Sequence, residues 1–60
     1  MNIKLKTKIL ESGKSQREIA SKVNIPETRL SEFVRGWKEP PWEQKLAIAG
    51  ELNCEVEDIF

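Results

Sequence analysis

Apolar residues recur at helical spacing along almost the whole chain, and no run alternates apolar and polar residues with the period of two that marks a strand. Leu5 and Ile9 lie four residues apart, which predicts a first helix over residues 3–12 with both side chains facing the core. Asn2 precedes this helix as an N-cap candidate, and Gly13 follows it as a left-handed C-terminal residue. The pattern is typical of an all-α protein.

Residues 15–36 carry the clearest pattern, which predicts two short helices joined by a tight turn. Ser15 and Glu18 have the spacing of a capping box, in which each side chain accepts a bond from the other residue's backbone N–H. Asn24 at the turn tolerates a left-handed backbone, Pro26 suits a helix start, and Gly36 suits a helix end. The inward residues are then Ile19, Ala20 and Val23 in a second helix over about 16–23, and Leu30, Phe33 and Val34 in a third over about 26–35.

The remaining residues predict a fourth helix over 41–53 and a short fifth helix over 55–60. The residues expected to face the core from the fourth helix are Trp42, Leu46, Ala49 and Leu52. Asn53 can serve as a left-handed cap, Cys54 is interpreted as a small buried hydrophobe, and Ile59 is expected to complete the core. Sixty residues make one domain.

The order of these features resembles the helix-turn-helix domain of phage repressors and Cro proteins, the XRE family. The residues that carry the resemblance are Gly13, Gln16, Ala20, Gly36, Pro40, Leu46, Ile48, Ala49 and Leu52. It covers nearly the whole chain, and it implies one compact five-helix, lambda-repressor-like DNA-binding domain over residues 1–60. The helix-turn-helix motif would span about 15–36, with the helix at 26–35 lying in the major groove as the recognition helix.

The resemblance also implies which side chains meet DNA. Glu27, Thr28 and Glu32 occupy positions that read base edges, and Arg29 flanks them near the same end of the helix, where it could serve bases or phosphate. The expected phosphate contacts are Gln16, Arg17, Arg35 and Lys38. Gln16 stands at a helix N-terminus, where exposed N–H groups and the helix dipole favour an anion.

Charge is unevenly distributed along a chain whose formal net charge is zero. Residues 1–38 hold nine basic and four acidic residues, a balance of +5, whereas residues 39–60 hold one basic and six acidic residues, a balance of −5. Such a chain can present a basic face to DNA and an acidic face elsewhere. The alternative is that the charges only keep a small protein in solution, because blocks in sequence need not become faces in space.

Several functional classes have little support. One cysteine and no histidine leave no disulfide and no zinc site, and neither a membrane-spanning run nor a signal peptide is present, so we expect a cytoplasmic protein without metal or cofactor. An enzyme is disfavoured because no nucleophile has a candidate base and no glycine-rich phosphate loop occurs. The alternative to a DNA-binding regulator is a protein-interaction module or antitoxin-type regulator with the same fold, because Glu27 and Glu32 would repel phosphates.

Two further expectations concern packing and assembly. Many family members carry an Arg and a Glu at the positions of Ile9 and Val34, so we predict that a hydrophobic contact between these two residues replaces an ion pair. Binding to a double-stranded DNA operator implies a dimer, and we predict a weak homodimer through Phe60, with Trp37 as a second candidate. Trp37 has three alternatives: packing at the core edge, which is the default for Trp, lying in a subunit interface, or lying beside the DNA backbone.

Overall fold

The computed structural model describes all of residues 1–60 and contains four α-helices, one 3₁₀ turn and no strand. The helices are α1 (Ile3–Ser12), α2 (Gln16–Val23), α3 (Glu27–Arg35) and α4 (Trp42–Glu51), and the 3₁₀ turn is Val56–Asp58. The predicted all-helical class is confirmed. The predicted fifth helix is only this single turn, closed by the Glu55 backbone N–H donating to the Asp58 carboxylate over 2.9 Å.

The first two helices begin and end at the residues that the sequence indicates. Asn2 Oδ1 accepts from the Leu5 backbone N–H over 3.0 Å, and its Nδ2 donates to the carbonyl of Ile59 over 2.7 Å. Ser15 Oγ accepts from the Glu18 backbone N–H over 3.0 Å, but the Ser15 backbone N–H does not donate to the Glu18 carboxylate, so only half of the capping box forms. Gly13 and Asn24 end their helices in the left-handed conformation, at φ of 74° and 61°.

Helix α3 is held at both of its ends by the backbone. Pro26 is the residue before the helix rather than its first residue, with an extended ψ of 141°. At the other end Gly36 takes a φ of 78°, its N–H donates to the Phe33 carbonyl over 3.1 Å, and the Trp37 N–H donates to the Glu32 carbonyl over 2.9 Å. These two bonds form a Schellman motif, which fixes the direction of the chain as it leaves the helix.

A single core fills the space between the helices. It consists of Leu5, Ile9, Ile19, Ala20, Ile25, Leu30, Phe33, Val34, Ile48, Ala49, Leu52 and Ile59. Ile9 and Val34 are both buried in it, and α1 packs on α3, so both members of the predicted apolar pair lie in one core. Ile25, in the turn between α2 and α3, is also buried, which anchors the angle between these two helices.

Helix α4 presents a different face to the core from the one that we predicted. Trp42 is 61% exposed and Leu46 is 50% exposed, so their predicted inward placement is wrong. The buried residues of this segment are Ile48, Ala49 and Leu52. The side chain of Lys45, only 17% exposed, lies along the boundary of this face, with its Nζ 2.7 Å from Glu39 Oε2 and 5.5 Å from the centre of the Phe60 ring. Its methylene stem can cover apolar surface while the ammonium stays paired.

The C-terminal residues are buried to different degrees. Ile59 is fully buried, as predicted, whereas Cys54, which was predicted to be buried, and Phe60 are half-buried against the core. Burial raises the pKa of the Cys54 thiol. The structure contains no helix with the length and apolar character needed to cross a membrane, and no cluster of three or more His, Cys, Asp or Glu arranged to hold a metal ion.

Candidate nucleic-acid interface

A groove of about 420 Å³ lies between the N-terminus of α2 and the outward face of α3. We call it the α2–α3 groove, and its lining residues are Gln16, Glu27, Thr28, Ser31, Glu32, Arg35 and Trp37. Five of these seven residues were predicted from the sequence to meet DNA. The structure therefore gathers residues from two helices, up to nineteen positions apart in sequence, onto one surface.

The polar face of α3 is exposed to solvent because the opposite face of the helix is buried in the core. Leu30, Phe33 and Val34 are buried, and they fix the rotation of the helix about its axis. The groove-lining residues of α3 then follow one another at helical spacing on the remaining face. Thr28 and Ser31 are small, so a base edge can approach the helix backbone closely between the longer side chains of Glu27 and Glu32.

The N-terminus of α2 offers unpaired donors beside this face. Ser15 caps the N–H of Glu18, whereas the backbone N–H groups of Gln16 and Arg17 have no acceptor within the protein. Free N–H groups at the positive end of the helix dipole favour an anion such as a phosphate oxygen. The side chain of Gln16 lines the groove and can add an amide N–H to the same anion.

Trp37 lies on the surface at the edge of the groove. It is 68% exposed, which excludes the core packing that is the default for Trp. The guanidinium carbon of Arg35 lies 4.9 Å from the centre of the indole ring, a cation–π distance. Arg35 and Trp37 therefore form one unit at the point where α3 ends.

Arg29 lies beside the groove and not among its lining residues. Its Nε is 3.3 Å from Glu32 Oε1, an ion pair between residues three apart on α3. Both side chains are substantially exposed, so the pair contributes little to folding stability. It does partly neutralise the Glu32 carboxylate, which reduces the repulsion between that carboxylate and a phosphate.

Of the remaining predicted phosphate residues, neither lines the α2–α3 groove. Arg17 is exposed on α2. Lys38 lines a second groove of about 420 Å³, here called the terminal groove, which also contains Met1, Trp37 and Phe60. Trp37 is common to both grooves. Both residues of the predicted dimer contact thus lie on the terminal groove, beside the proposed DNA surface.

The basic block of the sequence is only partly available for a ligand. Lys14 Nζ is 2.7 Å from Glu51 Oε2, and Lys8 lies 3.8 Å from Glu11, so these two cations are paired within the protein. The residues that line the α2–α3 groove include one cation, Arg35, and two carboxylates, Glu27 and Glu32, a balance of −1. Arg17, Arg29 and Lys38 lie outside this lining, so the cations that could attract a polyanion flank the groove.

One groove residue, Ser31, was missed from the sequence, and Trp37 was left with three alternatives, of which one was a place beside the DNA backbone. Ser31 lies three residues after Thr28 and four after Glu27, so helical spacing alone could have predicted its place on the same face. Spacing could not predict the position of Trp37 at the groove, because this position depends on the left-handed turn at Gly36 and on the stack with Arg35.

Comparison of the chain with family models, with curated proteins and with solved structures gave no match. The resemblance to phage repressors and Cro proteins therefore stays an expectation from the residue pattern alone.

Proposed function

We propose that this chain is a sequence-specific DNA-binding transcriptional regulator of the repressor/Cro type, with a lambda-repressor-like fold and α3 as its recognition helix. The observation that carries the proposal is the α2–α3 groove. It combines a helix N-terminus that has free N–H groups and Gln16 with a polar helix face that ends in Arg35. Groups that can bind phosphate then lie beside groups that can read base edges. A DNA groove requires this arrangement, because phosphate backbones flank its base edges.

Each residue class has a distinct role in this proposal. The major groove of DNA admits one α-helix and displays a different donor and acceptor pattern for each base pair. Thr28 and Glu32 read base edges, and Glu27 and Ser31 lie close enough on the same face to assist. Glu32 accepts from the N4 amino group of cytosine, the pairing that suits a carboxylate. Gln16 and Arg35 bind phosphates and set the register of α3 without reading sequence.

Assembly follows from the symmetry of such sites. Repressors of this type bind two half-sites about 34 Å apart, so the operator is read by a homodimer. The proposed contact is weak and isologous, with the terminal groove and its Phe60 and Trp37 on both subunits. Sedimentation with and without operator measures it, and a protein that binds operator only as a monomer contradicts it.

Selection of bound sequences from a random duplex pool, followed by a salt titration on the selected duplex, tests the proposed function. The selected pool should contain a palindrome or two spaced half-sites. The logarithm of the binding constant should fall with the logarithm of the salt concentration by about 0.9 for each phosphate contact. A pool that stays random, with binding that does not depend on salt, contradicts the proposal.

The second candidate is a protein-interaction module or antitoxin-type regulator with the same fold. Two carboxylates, Glu27 and Glu32, line the α2–α3 groove, and they favour a basic protein partner over a polyanion. This candidate predicts a pool that stays random and almost no salt-dependent binding to duplex DNA, so the same selection and a salt titration on random duplex separate it from the first.

A further inference from the structure

Trp37 carries a feature that the DNA-binding proposal does not use. A side chain with 68% of its surface exposed normally has no defined partner, yet one face of this indole is covered by the Arg35 guanidinium at 4.9 Å. Resting on the proposed DNA-binding function, we propose that Trp37 is a positioning residue for Arg35. The indole face holds the guanidinium at the α2–α3 groove, ready for a phosphate oxygen.

The backbone makes this stack a fixed feature of the fold. Arg35 is the last residue of α3, and Gly36 follows in the left-handed conformation at a φ of 78°. The N–H of Trp37 then donates to the Glu32 carbonyl over 2.9 Å. Because hydrogen bonds hold the backbone at Gly36 and at Trp37, the indole lies beside the C-terminal end of α3, next to Arg35.

Stacking and phosphate binding use different parts of a guanidinium. The ring of Trp37 covers the planar face, whereas the N–H donors point outward in that plane. Arg35 can therefore stack and make a charge-assisted, bidentate bond to a phosphate at the same time. A free arginine loses its rotamer freedom when it binds, and a stacked arginine has already lost much of it in the folded protein.

The test compares Trp37→Ala with Trp42→Ala on a duplex that carries a single half-site of the selected sequence, to which one subunit binds, so that the proposed subunit contact of Trp37 does not enter the measurement. Trp42 is also exposed, at 61%, but it lies on α4 and lines neither groove, so it is a matched control. Trp37→Ala should bind about two- to five-fold more weakly than the native chain, the size expected of an exposed cation–π contact. Its salt slope should be unchanged because Arg35 still reaches the phosphate. Trp42→Ala should bind like the native chain.

A double variant shows whether Trp37 acts through Arg35. In the Arg35→Ala background the further change Trp37→Ala should have no effect, since the residue to be positioned is gone. Trp37→Phe should restore most of the affinity, and Trp37→Leu should not. Thermal unfolding should be the same for all these variants, because the indole is on the surface.

Two results overturn the inference while leaving the proposed function intact. One is a Trp37→Ala variant that binds as tightly as the native chain, or more tightly. The other is a double variant in which the two losses multiply, which would mean that the indole touches DNA independently of Arg35. A native chain that binds no duplex in a salt-dependent way overturns the proposed function and this inference together.

Discussion

Residues 15–36 and residues 37–60 contrast in how well local sequence determines their structure. In the first region the caps at Ser15, Asn24 and Gly36 form, and every residue predicted to face the core is buried or packed against it. In the second region Trp42 and Leu46 were expected in the core and lie in solvent. The difference teaches that helical spacing determines orientation only when apolar residues occupy a single stripe.

The two helices concerned show why. Charged residues surround the single apolar stripe of α3, so only one rotation of that helix buries it. Apolar residues lie on several sides of α4, and two stripes compete: Trp42 with Leu46, and Ile48 with Leu52. The second stripe is the buried one, and Lys45 lies at its edge, with its ammonium paired with Glu39 and above the Phe60 ring. Those partners come from outside α4, so its own sequence does not reveal them.

The largest expected effect is on the free energy of unfolding. It is measured by introducing one carboxylate into each region. Val34→Glu should lower the free energy of unfolding by about 3 kcal/mol, because it leaves an unpaired charge in the core. Leu46→Glu, the matched change on the exposed stripe of α4, should stay within about 0.5 kcal/mol of the native value. Urea denaturation monitored by circular dichroism measures both. Equal destabilisation by the two changes would break the contrast between α3 and α4.

The next effect tests the polar face of the first region. Arg35→Ala should weaken binding to selected and random duplex alike, and should reduce the salt slope by about one unit, because one phosphate contact is lost. Lys22→Ala removes the same charge from the other end of α2, away from the groove, and should change the slope far less. An Arg35→Ala protein that keeps the native slope would show that Arg35 does not bind phosphate.

Replacement of Glu32 should change base preference, whereas replacement of Arg35 should change overall affinity. Glu32→Ala should alter the base preference at one position of the selected consensus, most readily a C·G pair, with little loss on random duplex. Binding to random duplex should be unchanged or slightly tighter, since the change removes a repulsive carboxylate and frees Arg29 from its ion pair. Repeating the selection with this variant measures the effect. An unchanged consensus for Glu32→Ala, together with a rewritten one for Arg35→Ala, would reverse the two assignments.

The smallest effect concerns the bond that joins the second region to Lys14, the residue before the first region. The Lys14 ammonium donates to Glu51 and holds the pKa of that carboxyl below its ordinary value. The folded pKa is lower than the unfolded one, so the stabilisation is present above the unfolded value and is lost as pH falls through the folded one. Glu51→Gln should therefore flatten the pH dependence of the unfolding temperature below about pH 5. Lys14→Met should do the same, and native pH dependence in both variants would contradict the assignment.

The sequence was sufficient for four helices and most of their caps, because these depend on neighbours within a few residues. The residues that line the α2–α3 groove were indicated by the family resemblance, and helical spacing places those of α3 on one face. Ser31 was within reach of the same reasoning. The final 3₁₀ turn was predicted as a helix because its acidic residues suit a helix start, but the backbone N–H groups of Asp58 and Ile59 donate to carbonyls three residues back, which is 3₁₀ geometry. The rotation of α4 and the stack of Trp37 on Arg35 were out of reach, because they arise from contacts and backbone turns that spacing does not encode.

Asn2 joins three parts of the fold. Its side chain bonds both Leu5 and Ile59, and its backbone N–H donates to the Val34 carbonyl over 2.8 Å. Terminal residues usually fray independently and open first. Loosening of Asn2 would break its bonds to Ile59 and to the Val34 carbonyl at the end of α3 together. We therefore expect the start of α1, the end of α3 and the segment around Ile59 to open as a single cooperative unit.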